Sequence, residues 1–284
     1  MTELAAVVVN HNAGDFLSRC IESLEEALRG IDHEIVVVDN ASSDDSTEAA
    51  TSGRPHVKVV ANPDNRGFAR AANQGVQHTS SPFVMLLNPD AEITGGSLEA
   101  FVKVARERPR VAAVGALVRN TDGSLQPSAR KVPSVLESTG HAFLGPIAPN
   151  NRFSRSYTMA DWDRTSEREV EWVSGSAVLI RRAAFEEVGG FDEGYFMYVE
   201  DVDLCTRLRA AGWTILFSPE LEVVHETGVS SRARSRALAF EHSRSLYRFY
   251  LRHRSRGWRI LLAPLVRVGL WLRAALVARG ARQP

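Results

Sequence analysis

The feature that most constrains this chain is a beat repeated through its first 90 residues. An unbroken apolar, largely β-branched run is followed by a stretch with helical spacing, and the pair recurs. The runs are LAAVVVN (4–10), HEIVVVDN (33–40), VKVVAN (57–62) and PFVMLLNPD (82–90). The helical stretches are FLSRCIESLEEALRG (16–30), DDSTEAATSG (44–53) and GFARAANQGVQHT (67–79). A strand with one wet face alternates apolar and polar residues; these runs do not, so both faces are covered. The 44% hydrophobic content of the 284 residues suffices for two such layers. The pattern predicts an α/β fold, a Rossmann-like, mostly parallel sheet flanked by helices. Further along, VEWVSGSAVLIRR (170–182) reads as a strand broken by Gly-Ser, DVDLCTRLRAAGW (201–213) as a helix and TILFSPELEVVHE (214–226) as a strand region. Between about 120 and 170, Gly, Pro, Ser, Asn and Arg predict a long excursion, which in compact domains is functional or mobile.

Sheets of this kind bind ligands beyond the carboxyl ends of their strands. Here those ends read Asn10-His11-Asn12, Asp39-Asn40, Asn62 and Asn88-Pro89-Asp90. Asp39 at a strand end can accept the imino hydrogen of a pyrimidine, or serve only a turn. Asp90 can ligate a hard divalent cation that neutralises a diphosphate, or serve only its Asn-Pro turn. His225 follows the apolar LEVV; it is either structural or, with Asp90, part of a mixed nitrogen and oxygen metal site. No Walker loop and no GxGxxG after the first run is present, which argues against P-loop NTPases and dinucleotide oxidoreductases.

The stretch GYFMYVEDVDLCTR (194–207) sets Glu200, Asp201 and Asp203 directly after an aromatic, apolar run. Acids in a first helical turn are stabilised by the helix dipole, which accounts for Asp203. It does not account for an acid pair placed against so apolar a wall. A carboxylate in a partly dry cleft can act as general base towards a hydroxyl.

Six ordered motifs carry a family resemblance: VVVNHN, VVVDNASSDDS, NRGFARAANQG, LLNPDAEI, WVSGSAVLIRRAAFEEVGGFDE and FMYVEDVDLCTRLRAAGW. Together, over about residues 5–228, they resemble the inverting family 2 glycosyltransferases of GT-A fold. DGSLQPSARKVPS (122–134), HAFLGPIAPNNRF (141–153) and YFMYVEDVDL (195–204) further resemble the rhamnosyltransferase branch that works on polyprenyl-diphospho-N-acetylglucosamine in cell-wall linker synthesis. The resemblance implies a dTDP-sugar donor, a polyprenyl-diphosphate-linked sugar acceptor and a divalent cation, Mg²⁺ or Mn²⁺. It implies nucleotide contacts at Asn10, His11, Asp39, Arg66 and Asn88, and metal ligands at Asp90 and His225. The family's DxD here reads Asn88-Pro89-Asp90, so one of its two acids is absent. Asp201 would be the base, with Glu200 its nearest competitor. Trp172, Gly175, Ser176 and Asp192 would face the acceptor. The alternatives are another family 2 transferase with a UDP-sugar donor and a polysaccharide or O-antigen acceptor, or a non-catalytic sugar- or nucleic-acid-binding protein.

The formal net charge is zero but unevenly spread: residues 1–100 hold six Lys/Arg and fifteen Asp/Glu, whereas residues 230–284 hold thirteen Arg and one acid, Glu241. A basic tail predicts an anionic partner, nucleic acid or a membrane surface. On a helical wheel of 259–277, Arg259, Arg267 and Arg273 oppose Leu261, Leu265, Val268, Leu272 and Leu276. That disfavours nucleic acid and a buried span, and favours a helix lying in the membrane interface. A helix packed on the catalytic domain or a homodimer contact is the alternative. We expect a catalytic domain over 1–228, a helical extension over 229–284, and a peripheral protein on the cytoplasmic face of the plasma membrane. The two distant cysteines, Cys20 and Cys205, form no disulfide framework and fit that setting. The N-terminus lacks a basic leader before its apolar run, which reads as the first strand.

Overall fold

Strand β1 (Leu4–Asn10) lies inside the sheet, and its residues alternate between two cores. Leu4, Ala6 and Val8 join one apolar cluster; Ala5, Val7 and Val9 join the other. This period of two is what a strand covered on both faces must show. The computed structural model describes residues 2–132, 151, 155, 156, 158, 159, 161–226, 235–255 and 257–280. The motif at 141–153 and the expected boundary at 228/229 lie essentially outside the described residues.

Among the described residues the main sheet has nine strands. The other expected early strands are β2 (His33–Asp39), β3 (Val57–Ala61) and β4 (Phe83–Leu87). Next come β5 (Ala91–Gly96) and β6 (Val111–Arg119), then β7 (Ala129–Arg130), β8 (Arg168–Val170), β9 (Trp172–Val173), β10 (Ala177–Arg181) and β11 (Thr214–His225). The order is β3-β2-β1-β4-β10-β6-β11-β5, with β8 paired to β11, while β7 and β9 form a separate ribbon. Pairing is parallel from β3 to β4 and between β6 and β11; β10, β5 and β8 run antiparallel to their neighbours. The sheet is therefore mixed but mostly parallel.

Helices α1 (Asp15–Ala27) and α4 (Leu98–Arg106) cover one face, and α3 (Phe68–Gln77), α5 (Arg182–Glu187) and α6 (Glu200–Ala210) the other; α2 (Ser46–Thr51) packs on α1. In α1, Leu17, Ile21 and Leu24 are fully buried, each stabilising the fold by about 1.5–3 kcal/mol. Gly75 lets α3 close on the sheet: a Cβ there would sit 2.3 Å from Val7 Cγ1.

The strand expected over 170–182 with a Gly-Ser break has that break, and its first part is further divided into β8 and β9. Glu171 and Ser174 amides bond to Arg130 and Ser128 carbonyls, which draws β9 out to β7. The chain re-enters the sheet at β10 only after the Gly175-Ser176 turn. At the C-terminus, α7 (Ser235–Phe249) runs into a π-helical turn (Tyr250–Arg254), a 3₁₀ segment (Gly257–Leu262) and α8 (Ala263–Gly280), which packs along α7. Among the described residues, Gly257–Arg279 is one stretch long and apolar enough to cross a membrane.

Candidate active site

Strand register brings the expected residues to one rim. Asp39 pairs with Asn10 at the ends of β2 and β1, and β4, on the other side of β1, ends at Leu87 opposite Val8. β10 is antiparallel to β4, so its beginning, not its end, meets this rim. β11 is parallel to β6 and reaches the same side at His225.

On the nucleotide side, much of the polarity holds loops. Asn10 is fully buried, and its Nδ2 donates to Ser42 Oγ, Ser46 Oγ and Thr47 Oγ1 at 3.1, 2.8 and 2.8 Å. Its amide nitrogen therefore pins the loop after β2 instead of reaching a ligand. His11 is half-buried at the end of β1. Asp39 Oδ1 accepts the Ser42 amide at 3.1 Å, so this acid shapes the turn at the mouth of the cleft. Asn40 is the hub that sequence reading passed over. Its Nδ2 donates to Asn65 Oδ1 at 2.9 Å, and its Oδ1 accepts from Asn62 and from the Arg66 amide at 3.3 and 3.0 Å. This network fixes the loop that presents Arg66, whose side chain is exposed beside Asp64.

The expected metal pair is assembled. His225 Nε2 lies 3.1 Å from Asp90 Oδ1, and both side chains are about nine-tenths buried. His225 Nδ1 is 3.0 Å from Gln126 Oε1, and Gln126 Nε2 donates to Asn120 Oδ1 at 3.0 Å. An amide oxygen only accepts, so Nδ1 carries a proton, and in the neutral metal-binding tautomer Nε2 presents its lone pair. That lone pair faces Asn88 Nδ2 at 3.2 Å as well as the Asp90 carboxylate. Two ligand atoms held 3.1 Å apart match neighbouring positions on one small cation, about 3 Å. A second-sphere acceptor that sets the histidine tautomer is the usual support of such a ligand. Gln126 lies in the DGSLQPSARKVPS segment, and only the fold brings it to His225. Among the described residues no three His, Cys, Asp or Glu cluster as a closed metal cage. Two protein ligands fit a Mg²⁺-type ion whose remaining positions go to water and substrate phosphate.

The acids at 200 and 201 open α6. The two residues before them, Tyr198 and Val199, have left-handed backbones with φ of 69° and 71°. A β-branched residue rarely adopts that conformation, and such strain gathers at functional sites. Asp201 Oδ2 accepts the Gly175 amide at 3.2 Å and Oδ1 the Val202 amide at 2.8 Å. Burial raises its pKa, and the two amides only partly oppose this. Glu200 is buried, its Oε2 without a hydrogen-bond partner. Burial, then the neighbouring Asp201 charge, pushes it up to about 8. Both carboxyls are thus raised by burial, and Asp201 differs from Glu200 in having both of its oxygens anchored by backbone amides.

A continuous run of hydrogen bonds links Asp201 to the pair of Asp90 and His225. Gly175 N–H reaches Asp201; the next residue, Ser176, offers its carbonyl to the Asn88 amide at 2.9 Å; Asn88 Nδ2 reaches His225; His225 meets Asp90. The Ser176 hydroxyl is buried and unpartnered at this junction. Two expected acceptor residues turn elsewhere. Trp172 is buried, donating Nε1–H to Lys131 O at 3.0 Å under the Arg130 guanidinium, so it is core and not cleft lining. Asp192 is held by Arg248 at 2.8 Å and by Arg252, so its carboxylate is spent on the C-terminal arm.

The profile of Glycosyl transferase family 2 matches residues 5–189. The chain is 37% identical, over 98% of its length and 94% of the relative's, to the N-acetylglucosaminyl-diphospho-decaprenol L-rhamnosyltransferase of Mycobacterium tuberculosis. It is 26% identical to rhamnosyltransferase WbbL of Escherichia coli K12, over 87% of this chain and 92% of that one. Among solved structures, the Pyrobaculum calidifontis mannosyltransferase PcManGT in complex with GDP-Man and Mn²⁺ superposes with a TM-score of 0.60 at 16% identity, covering 99% of this chain and 74% of that one. GalNAc-T7 with UDP, GalNAc and Mn²⁺ gives 0.59 at 18% identity over 80% of this chain, which spans 44% of that structure. These two likenesses support the GT-A fold.

Proposed function

The chain belongs to glycosyl transferase family 2, and from that premise we propose that it moves L-rhamnose from dTDP-L-rhamnose onto a polyprenyl-diphospho-N-acetylglucosamine by a single inverting displacement. The observation that carries the chemistry is the bonded run from Asp201 through Gly175, Ser176 and Asn88 to His225 and Asp90. It sets a base and a metal pair on one rim at a fixed spacing. The near full-length similarity to the mycobacterial rhamnosyltransferase supports the choice of sugar and acceptor.

Asp201 takes the proton from the attacking hydroxyl, a contribution of about 10²–10⁴-fold in such reactions. Glu200, kept neutral beside it, adds no second charge to repel the developing alkoxide. Asp90 and His225 would hold a Mg²⁺ or Mn²⁺ ion, which acts as a Lewis acid on the departing diphosphate. Asp39 and the Asn40 network frame the base-binding mouth. Thymine and uracil both offer one imino N–H between two carbonyls, so this mouth does not separate dTDP from UDP.

The enzyme works at the cytoplasmic face of the plasma membrane in this reading. The support is a ridge on the C-terminal arm: Trp258, Leu261 and Leu265 are 69%, 78% and 71% exposed, and Val268, Leu272 and Leu276 continue it. Arg267 stacks on Tyr247 of α7, away from that ridge. An exposed apolar stripe of this size marks a membrane or protein contact.

The test is a donor panel of dTDP-rhamnose, UDP-galactose and UDP-N-acetylglucosamine with a short-chain lipid-diphospho-N-acetylglucosamine and divalent metal. Rhamnosyl product with inverted anomeric configuration is expected. Turnover of a UDP-sugar alone would replace the donor assignment.

A further inference from the structure

The C-terminal arm does more than present an apolar ridge; its other side grips the segment that carries the base. Asp203, two residues beyond Asp201 on α6, is fully buried. Two of its partners come from the arm: His253 Nε2 at 2.6 Å and Arg252 Nε at 3.6 Å. The others are local, Arg207 Nε at 2.7 Å and the Tyr195 hydroxyl at 3.3 Å. Burial alone would raise its carboxyl, but His253 and Arg207 outweigh that and hold it below the ordinary range.

The same arm holds the approach to α6. Arg248 pairs with Asp192 and lies over the Tyr195 ring, 5.4 Å from its centre. Gly194 makes room for it, since a Cβ there would fall 2.1 Å from the Arg248 guanidinium carbon. Ser245 Oγ donates to the Met197 carbonyl at 2.9 Å, and Phe249 packs with Tyr195 and Val199. The gripped stretch contains Tyr198 and Val199, the consecutive left-handed residues that precede the acids. Such a backbone persists only when its surroundings over-determine it. A π-helical turn in the arm delivers Arg252 and His253, and such turns concentrate at functional sites.

We propose that His253 and Arg252 act through Asp203 as positioning residues, so that the arm aligns Asp201 for proton transfer, a role separable from any membrane contact of α8. This rests on the glycosyltransferase reading and assigns a second role to the 235–255 segment.

The test uses the full chain in detergent micelles with a short-chain lipid-diphospho acceptor, which removes the need for a bilayer. His253→Ala lowers kcat by about tenfold or more, from loss of one charged hydrogen bond and drift of the base. The acceptor KM and the donor Kd stay near wild type, while the Tm falls by only a few degrees from the lost bond to buried Asp203. His253→Gln, whose amide N–H replaces the imidazole Nε2–H, recovers most of that loss. A His253→Ala enzyme with kcat within about twofold of wild type overturns the proposal. So does a variant whose donor Kd and Tm collapse together with kcat, because that is a folding role only. A wild-type enzyme inactive with every donor would overturn the transferase reading instead.

Discussion

Gly175 N–H donates to Asp201 Oδ2 over 3.2 Å, joining the turn before β10 to the first turn of α6. The same glycine precedes Ser176, whose carbonyl holds Asn88. The proposed base and the proposed metal pair are thus joined through one run of hydrogen bonds, and the consequences can be measured separately.

Asp201→Asn removes the base but keeps an amide oxygen for Gly175. Turnover should fall by about 10²–10⁴-fold while donor affinity, followed by calorimetry, stays within error. Near-normal product formation would end the assignment of Asp201.

Gln126 sets the tautomer of His225 from a distance of 3.0 Å. Gln126→Leu should raise the metal concentration for half-maximal activity by about 10–100-fold, with excess metal restoring the rate. Chelator should abolish wild-type activity. A metal titration that superposes on wild type would remove Gln126 from the site.

Glu200 is raised from its ordinary 4.5 to about 8 in the folded protein. The folded state then binds the proton more tightly than the unfolded chain. Its stabilising contribution is present below about pH 4.5 and is lost as pH rises towards 8. Denaturant melts of Glu200→Gln should decline less than wild type across that window. Parallel pH curves for the two proteins would contradict the buried, neutral state of Glu200.

Gly75 has no room for a methyl group against Val7. Gly75→Ala should cost about 1–3 kcal/mol through overpacking, read as a lower urea midpoint. An unchanged or raised midpoint would mean that α3 and β1 can part without cost.

Removal of residues 257–284 deletes the exposed ridge of Trp258, Leu261 and Leu265. The shortened protein should move from the membrane pellet to the soluble fraction and lose vesicle flotation. Unchanged membrane partition would contradict the contact. A wild type that is soluble and dimeric would reassign the ridge to a second copy.

The early strands and helices were legible because their signals are local: β1 to β4 appear where the unbroken apolar runs lie, within three residues at their ends. The acid pair was legible for a similar reason, as adjacent carboxylates against an aromatic wall stand out in a single window. Asn10, Trp172 and Asp192 show the limit. Each is a polar or aromatic residue in a motif, yet the structure turns them to loop hydroxyls, to a buried carbonyl and to arginines of the arm. Asn40 and Gln126 lie within quoted motifs, at a polar strand end and in DGSLQPSARKVPS, but nothing local tells which groups their amides would hold.

By itself, the order of residues determined the layered α/β plan, which ends of the strands are polar, and where the acids enter a helix. Backbone periodicity and short-range sterics encode those properties within a dozen residues. Tertiary structure alone decided which polar groups meet. His225 finds Asp90 across 135 residues and His253 finds Asp203 across 50. Hydrogen bonds and ion pairs act over a few ångströms, so they become definite only after the two cores have closed around the sheet.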